Sequence, residues 1–137
     1  MALFYADAST LVKLVRDEPE SEVLRTFLRD ADLVSSELVL TEVPRAIRRA
    51  AATDPRLDGD RLTLRAGELL DAVALLPMDR AILMVAGALE EPALRALDAI
   101  HIASATDLSP LDGFLTYDDR QAAAARLAGL RTLSPGS

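Results

Sequence analysis

Short apolar runs alternate along this chain with longer stretches in which apolar residues recur every three or four positions. Ala2–Ala6 reads as a short buried strand, and Ser9–Arg16 as a helix with Ser9 or Thr10 available as its N-cap. Pro19–Arg29 opens with proline and acids and then repeats apolar residues at helical spacing. Asp32–Ser36 predicts a brief strand, and Glu37–Ala52 a helix followed by a loop at Thr53-Asp54-Pro55. Asp60–Leu70 predicts another helix, Val73–Pro77 a strand closed by proline, and Asp79–Leu89 a helix. After a break at Glu91-Pro92, Ala93–Asp107 reads as helix and Gly113–Tyr117 as strand. Asp118–Ala128 is a helix ended by Gly129, and Leu130–Leu133 a last strand.

Strands this short and apolar, separated by helices, argue for an α/β fold: a short parallel sheet of about five strands flanked by helices on both faces. No repeat or linker interrupts the pattern, so residues 1–137 read as one domain, long enough for a core. In such sheets, sites form beyond the carboxyl ends of the strands.

Composition narrows the picture. With no cysteine, disulfide scaffolds and thiol chemistry are excluded, and a cytoplasmic home is the expectation. The longest apolar run, Ala81–Leu89, is far too short to cross a bilayer, and no basic region precedes an apolar stretch as in a signal peptide. The net charge of −7 departs from the basic character of most nucleic-acid binders. Either the substrate is not a polyanion, or a metal and a local basic patch offset the acidity, which also suits a basic protein partner.

Four acids stand out because their surroundings read as buried. Asp7 and Asp118 each sit one residue past an apolar strand and at the start of a helix. Either could simply cap its helix, although Ser9 and Thr10 can replace Asp7 in that role. Asp119 competes with Asp118, but Asp118 is nearer the strand end. Asp98 is set among Ala99, Ile100, Ile102, Ala103 and Ala105, which leave little polar face. Glu42 is flanked by Leu38, Val39, Val43 and Ile47, with Arg45 placed to pair with it. Unpaired buried carboxylates are costly, and the neighbouring cations are too few to balance these four. Several hard oxygens select Mg²⁺ or Mn²⁺, and one histidine without cysteine argues against zinc. Hydrolysis of a phosphodiester is the chemistry such a centre supports.

These segments carry a resemblance. Asp7-Ala-Ser9-Thr10-Leu-Val-Lys13, Thr41-Glu42-Val43, Leu97-Asp98-Ala-Ile-His101 and Leu115-Thr116-Tyr117-Asp118 resemble, in order, the four motifs of PIN-domain ribonucleases. They are most similar to the toxins of VapBC-type toxin–antitoxin pairs, over essentially the whole chain. The resemblance implies a PIN-like fold, Mg²⁺- or Mn²⁺-dependent RNA cleavage, homodimerisation and a small antitoxin partner. Asp7, Glu42, Asp98 and Asp118 would be the acids of the site, with Asp7, Asp98 and Asp118 on the metal. Ser9 and Thr116 would be supporting hydroxyls.

Other residues are weighed beside these. His101 reads as a satisfied core residue, with general base as the sharper alternative. Tyr5 and Tyr117 read as core packing rather than base-stacking platforms. Arg45 and Arg49 share a helix face with Glu42 and either hold RNA phosphates or complement the helix dipole. An antitoxin is expected to bring a basic segment whose arginine reaches the acids, with apolar residues packing near Leu11, Val12, Val15 and the Pro19–Leu28 helix. Phosphatases of the haloacid-dehalogenase type and response-regulator receivers both need a downstream lysine, and none follows Lys13.

Overall fold

The computed structural model describes residues 1–108 and 110–137. The chain runs β1 (Ala2–Ala6), α1 (Ala8–Val15), α2 (Ser21–Phe27), β2 (Ala31–Ser36), α3 (Val39–Thr53), α4 (Gly59–Ala72), β3 (Ala74–Leu76), α5 (Arg80–Gly87), α6 (Ala96–Asp107), β4 (Gly113–Leu115), α7 (Asp119–Leu127) and β5 (Thr132–Leu133). All strand pairs are parallel, in the order β3-β2-β1-β4-β5. The expected parallel α/β sheet is the one observed.

Period-two alternation along the strands splits the core between two faces. Ala6, Leu33 and Leu75 pack with Leu11, Val15, Val39, Val43 and Ile47 of α1 and α3, and with Leu62, Ala66 and Leu70 of α4. Leu3, Tyr5, Val34, Leu76 and Phe114 point the other way, onto Ile102 and Ala105 of α6 and Ala124 and Ala125 of α7. Gly113 is required where β1 and β4 meet. A Cβ there would strike Leu133 Cδ1 and the Phe4 ring.

Strand order places the site. The chain builds outward from β1 through β2 to β3, then returns through α5 and α6 to pair β4 on the other side of β1. Connections leaving β1 and β4 therefore diverge, opening a crevice at their carboxyl ends, where open α/β sheets hold ligands. Asp7 follows β1 directly, and its N–H donates to Leu115 O at 3.2 Å, closing the register with β4.

Several boundaries differ from expectation, mostly through capping. Asp7, not Ser9 or Thr10, is the N-cap of α1: its carboxylate accepts from Thr10 N. Asp58, Asp79 and Asp118 cap α4, α5 and α7 in the same way. Pro19 and Glu20 form a turn, and α2 starts only at Ser21, whose hydroxyl accepts from Glu18 N at 2.9 Å. Ala93–Arg95 likewise precede α6 rather than belonging to it.

Candidate functional site

Asp7 is the buried carboxylate of the crevice, held by three hydrogen bonds. It is 4% exposed. Oδ1 accepts from Ser9 Oγ at 2.6 Å and from Thr10 N at 3.1 Å. Oδ2 accepts from Thr116 Oγ1 at 2.5 Å. Burial pushes the carboxyl above the ordinary aspartate range, and the Ser9 and Thr116 hydroxyls pull back against it. Ser9 and Thr116 lie 3.4 Å apart, and each also accepts a backbone N–H from the segment after β4: Tyr117 N to Ser9 at 3.0 Å, Asp118 N to Thr116 at 3.1 Å. The two hydroxyls thus bind the ends of β1 and β4 into one polar knot.

Asp98 lies in the first turn of α6, half-buried, and Asp118 is exposed at the start of α7. Asp118 Oδ1 accepts from Arg120 N and Gln121 N at 2.9 and 3.3 Å. Asp119 is exposed in the same turn. The Asp98 carboxyl is pushed up by burial first, then by the charge of Asp118, with smaller contributions from Asp7 and Glu42 and with His101 opposing. Carboxylates from β1–α1, α3, α6 and β4–α7 therefore share one electrostatic environment.

Glu42, in the first turn of α3, is not paired with Arg45 as the sequence suggested. Its Oε1 lies 2.6 Å from His101 Nε2, and His101 Nδ1 lies 2.7 Å from the Tyr5 hydroxyl. His101 is a buried, satisfied core residue, as expected, but what satisfies it reaches into the crevice. Nothing local revealed this: Glu42 and Tyr5 lie 59 and 96 residues away in sequence. Gln121, 1% exposed beside the Asp118 cap, has no hydrogen-bond partner among the described residues for either amide atom, a feature the sequence gave no sign of.

A groove of about 610 Å³ is lined by Ser9, Val12 and Lys13 of α1, Glu42, Arg45 and Arg49 of α3, Leu97 and Tyr117; of the four acids Glu42 lines it, while Asp98 lines a separate pocket with Arg95 and Arg120. Arg45 and Arg49 are exposed along it. Lys13 is engaged already, with Nζ 2.9 Å from Glu20, 3.1 Å from Glu18 and 4.8 Å from the centre of the Tyr117 ring. Tyr117 is half-exposed rather than core, and its hydroxyl donates to Pro135 O at 2.7 Å. Of the apolar residues expected to receive a partner, Leu11 and Val15 are fully buried; Val12 borders the groove, and Val23 and Phe27 are the exposed apolar residues of α2.

The donor set is entirely hard oxygen, which fits Mg²⁺ or Mn²⁺ and not zinc. Like charges pushing up Asp98 are what a cation would relieve. Among the described residues, however, no three acidic or imidazole groups stand close enough to form a ready-made cage. Asp7 is held by its hydrogen bonds to Ser9, Thr10 and Thr116.

Fold and site together define a class: a parallel α/β sheet with an acidic cleft at its topological switch point. The family model described as PIN domain matches residues 4–127. Ribonuclease VapC46 of Mycobacterium tuberculosis (strain ATCC 25618 / H37Rv) is 41% identical, covering 98% of this chain and 99% of its own. Ribonuclease VapC47 of Mycobacterium tuberculosis (strain CDC 1551 / Oshkosh) is 35% identical over 98% of each. Among solved structures, Mycobacterium tuberculosis VapC20, described as a Sarcin-Ricin loop cleaving toxin, superposes with a TM-score of 0.73 at 16% identity, covering 96% of this chain and 99% of that one. FitAcB from Neisseria gonorrhoeae gives 0.66 at 17% identity, covering 96% and 97%. The chain belongs to the PIN-domain family and, within it, to the VapC ribonucleases.

Proposed function

We propose that the acidic crevice hydrolyses RNA phosphodiester bonds with Mg²⁺ or Mn²⁺, as the endoribonuclease toxin of a toxin–antitoxin pair. Asp7, Asp98 and Asp118 hold the cation, and Glu42 completes the acidic set. The observation that carries this reading is geometric: Asp7 is buried at the end of β1 with its carboxylate held by the Ser9 and Thr116 hydroxyls, and half-buried Asp98, pushed up by burial first, also feels the charges of Asp118, Asp7 and Glu42 from three other elements. Surface acids scattered for solubility do not gather their fields on one half-buried group.

A divalent cation supplies two things here: a lower pKa for an attacking water and stabilisation of charge on the leaving oxygen. The chain's own residues do the rest. Ser9 and Thr116 aim Asp7 and favour its ionised form against the opposing push of its burial. Arg45 and Arg49, on the rim of the same groove as Glu42, hold phosphates of the strand entering the site. Lys13, balanced by two glutamates, stiffens the groove wall instead of binding RNA.

The partner is a small antitoxin with a basic segment, whose arginine enters the crevice and substitutes guanidinium charge for the cation. Its apolar residues pack along Val12 and the exposed side of α2, and the working unit is a cytoplasmic homodimer. No helix among the described residues is long and apolar enough to cross a membrane.

RNA cleavage with and without EDTA, by the wild-type chain and by Asp98→Asn, tests the reading. The swap is nearly isosteric and removes one ligand charge, so turnover should drop to the EDTA background with the fold intact. Near wild-type turnover by Asp98→Asn overturns the assigned site. Absence of metal-dependent cleavage by the wild-type chain leaves a partner-binding protein without turnover.

A further inference from the structure

Tyr5, His101 and Glu42 form a line of hydrogen bonds from the central strand to the crevice. Tyr5 is fully buried on β1, stacked on Phe114 with ring centres 5.3 Å apart and planes 7° from parallel. It meets His101 edge-on at 5.8 Å. Burial raises the Tyr5 hydroxyl far above the ordinary tyrosine range, so it keeps its proton and is available as a donor. When it donates to His101 Nδ1 across 2.7 Å, the neutral imidazole carries its proton on Nε2 and donates it to Glu42 Oε1 across 2.6 Å. The opposite tautomer would aim a lone pair at a carboxylate. Glu42 Oε2 has no hydrogen-bond partner among the described residues and stays available to the crevice.

We propose that His101 is the positioning residue for Glu42, held in its Nε2–H form by Tyr5, so that β1 sets the direction of the Glu42 carboxylate as well as that of Asp7. The inference rests on the placement of Glu42 in the site proposed above. A histidine buried only for packing needs partners for its ring nitrogens but has no reason to take both from side chains of separate elements, one of them leading into an acidic crevice. Glutamate is long and flexible, and the ring selects one of its rotamers. Carboxylate–histidine supports of this kind typically change activity about 10–100-fold when removed.

The test separates positioning from packing by two substitutions of similar size. His101→Asn keeps an amide near Nδ1, within reach of Tyr5, but cannot reach Glu42; His101→Gln places an N–H near Nε2. His101→Asn should lower kcat about 10–100-fold with little change in KM, and His101→Gln should recover about tenfold of that loss. Long-range ¹H–¹⁵N spectra of the wild-type chain should show the Nε2–H tautomer, a readout independent of activity. Tyr5→Phe, which keeps the stacked ring, should lower kcat several-fold and relax that tautomer preference; it also serves if His101→Asn fails to fold. Equal losses in the Asn and Gln variants, matching their loss of thermal stability, or an Nδ1–H tautomer in the wild-type chain, would overturn the proposal. Glu42→Gln decides which claim has failed: if it is inactive while His101→Asn is fully active, only the positioning role falls. Full activity in Glu42→Gln removes Glu42 from the site, and the inference with it.

Discussion

Thr116→Val is the most discriminating perturbation of the crevice, because it deletes one oxygen and almost nothing else. Thr116 is fully buried just beyond β4, and valine keeps its β-branched shape. The lost hydroxyl donates to Asp7 Oδ2 at 2.5 Å and accepts from Asp118 N at 3.1 Å. A hydrogen bond to a charged group is worth about 1.5–3 kcal/mol. The loss falls mainly on ionised Asp7, whose carboxyl burial already pushes up, so the variant pushes it further in that direction. An aspartate whose folded pKa lies above its unfolded one binds more protons when folded. Its ionised form then destabilises the fold at neutral pH, and the penalty fades as pH falls through the folded pKa. Thr116→Val should therefore be less stable than wild type by about 1.5–3 kcal/mol at pH 8, or roughly 5–12 °C in Tm for a chain this size. The gap should narrow on acidification, where both proteins hold a neutral carboxyl. RNA cleavage at neutral pH should fall by roughly 10- to 150-fold, the same energy expressed as a rate. Thermal melts from pH 5 to pH 8 and cleavage assays in Mn²⁺ check both arms. An equal stability gap at every pH, with cleavage unchanged, would show that the hydroxyl serves packing alone.

Three further outcomes follow from the same geometry. Asp7→Asn should melt higher than wild type at neutral pH without added metal, because it removes a buried charge; differential scanning calorimetry should show that advantage shrinking as pH falls through the raised Asp7 pKa. Mg²⁺ or Mn²⁺ at a hundredfold excess over Kd should stabilise the wild-type chain by about 2.7 kcal/mol, and thermal melts of the Asp7→Asn/Asp98→Asn double variant should show no increment. Arg45→Gln with Arg49→Gln should raise KM for single-stranded RNA and flatten the plot of log KM against log salt by about 1.4, the contribution of two phosphate contacts; an unchanged slope would place the RNA elsewhere.

The architecture was legible in the sequence because it rests on local patterns. Five short apolar strands and seven stretches of helical spacing suffice to dictate a parallel sheet, and Asp7 follows β1 directly as read, whereas β4 ends at Leu115 and leaves Thr116 and Tyr117 before Asp118. Local patterns also carried an ambiguity that only three dimensions resolve. Asp7 was weighed as a cap or a ligand, and its buried carboxylate caps α1 while also holding the Ser9 and Thr116 hydroxyls, so the cap alone does not account for it. Helix starts were misread by one residue where an aspartate caps the helix, and by two or three in α2, α3 and α6, which have no side-chain cap. Leu11 and Val15 were expected to line a partner groove but belong to the core, because α1 is covered by α3 and α4. The pairing of Glu42 with His101 instead of Arg45 is the clearest limit. The helix spacing favoured Arg45, but an imidazole from another element, two residues past the buried Ala99, offers a short bond at lower exposure.

The acidity of the chain, awkward for a ribonuclease, becomes intelligible once its charges are located. Lys13, the only lysine, is held by Glu18 and Glu20, so it adds little field to the groove. Arg45 and Arg49, exposed on one face of α3, line the groove, and Arg95 and Arg120 line a neighbouring pocket with Asp98. RNA approaching a chain of charge −7 gains little from long-range attraction and must rely on contacts at the groove itself. The basic antitoxin segment proposed above would meet the opposite situation, since a net charge of −7 favours the approach of a cationic chain. The same distribution of charge thus weakens encounter with the substrate and strengthens encounter with an inhibitor, a bias suited to an enzyme that must stay silent while its partner is present.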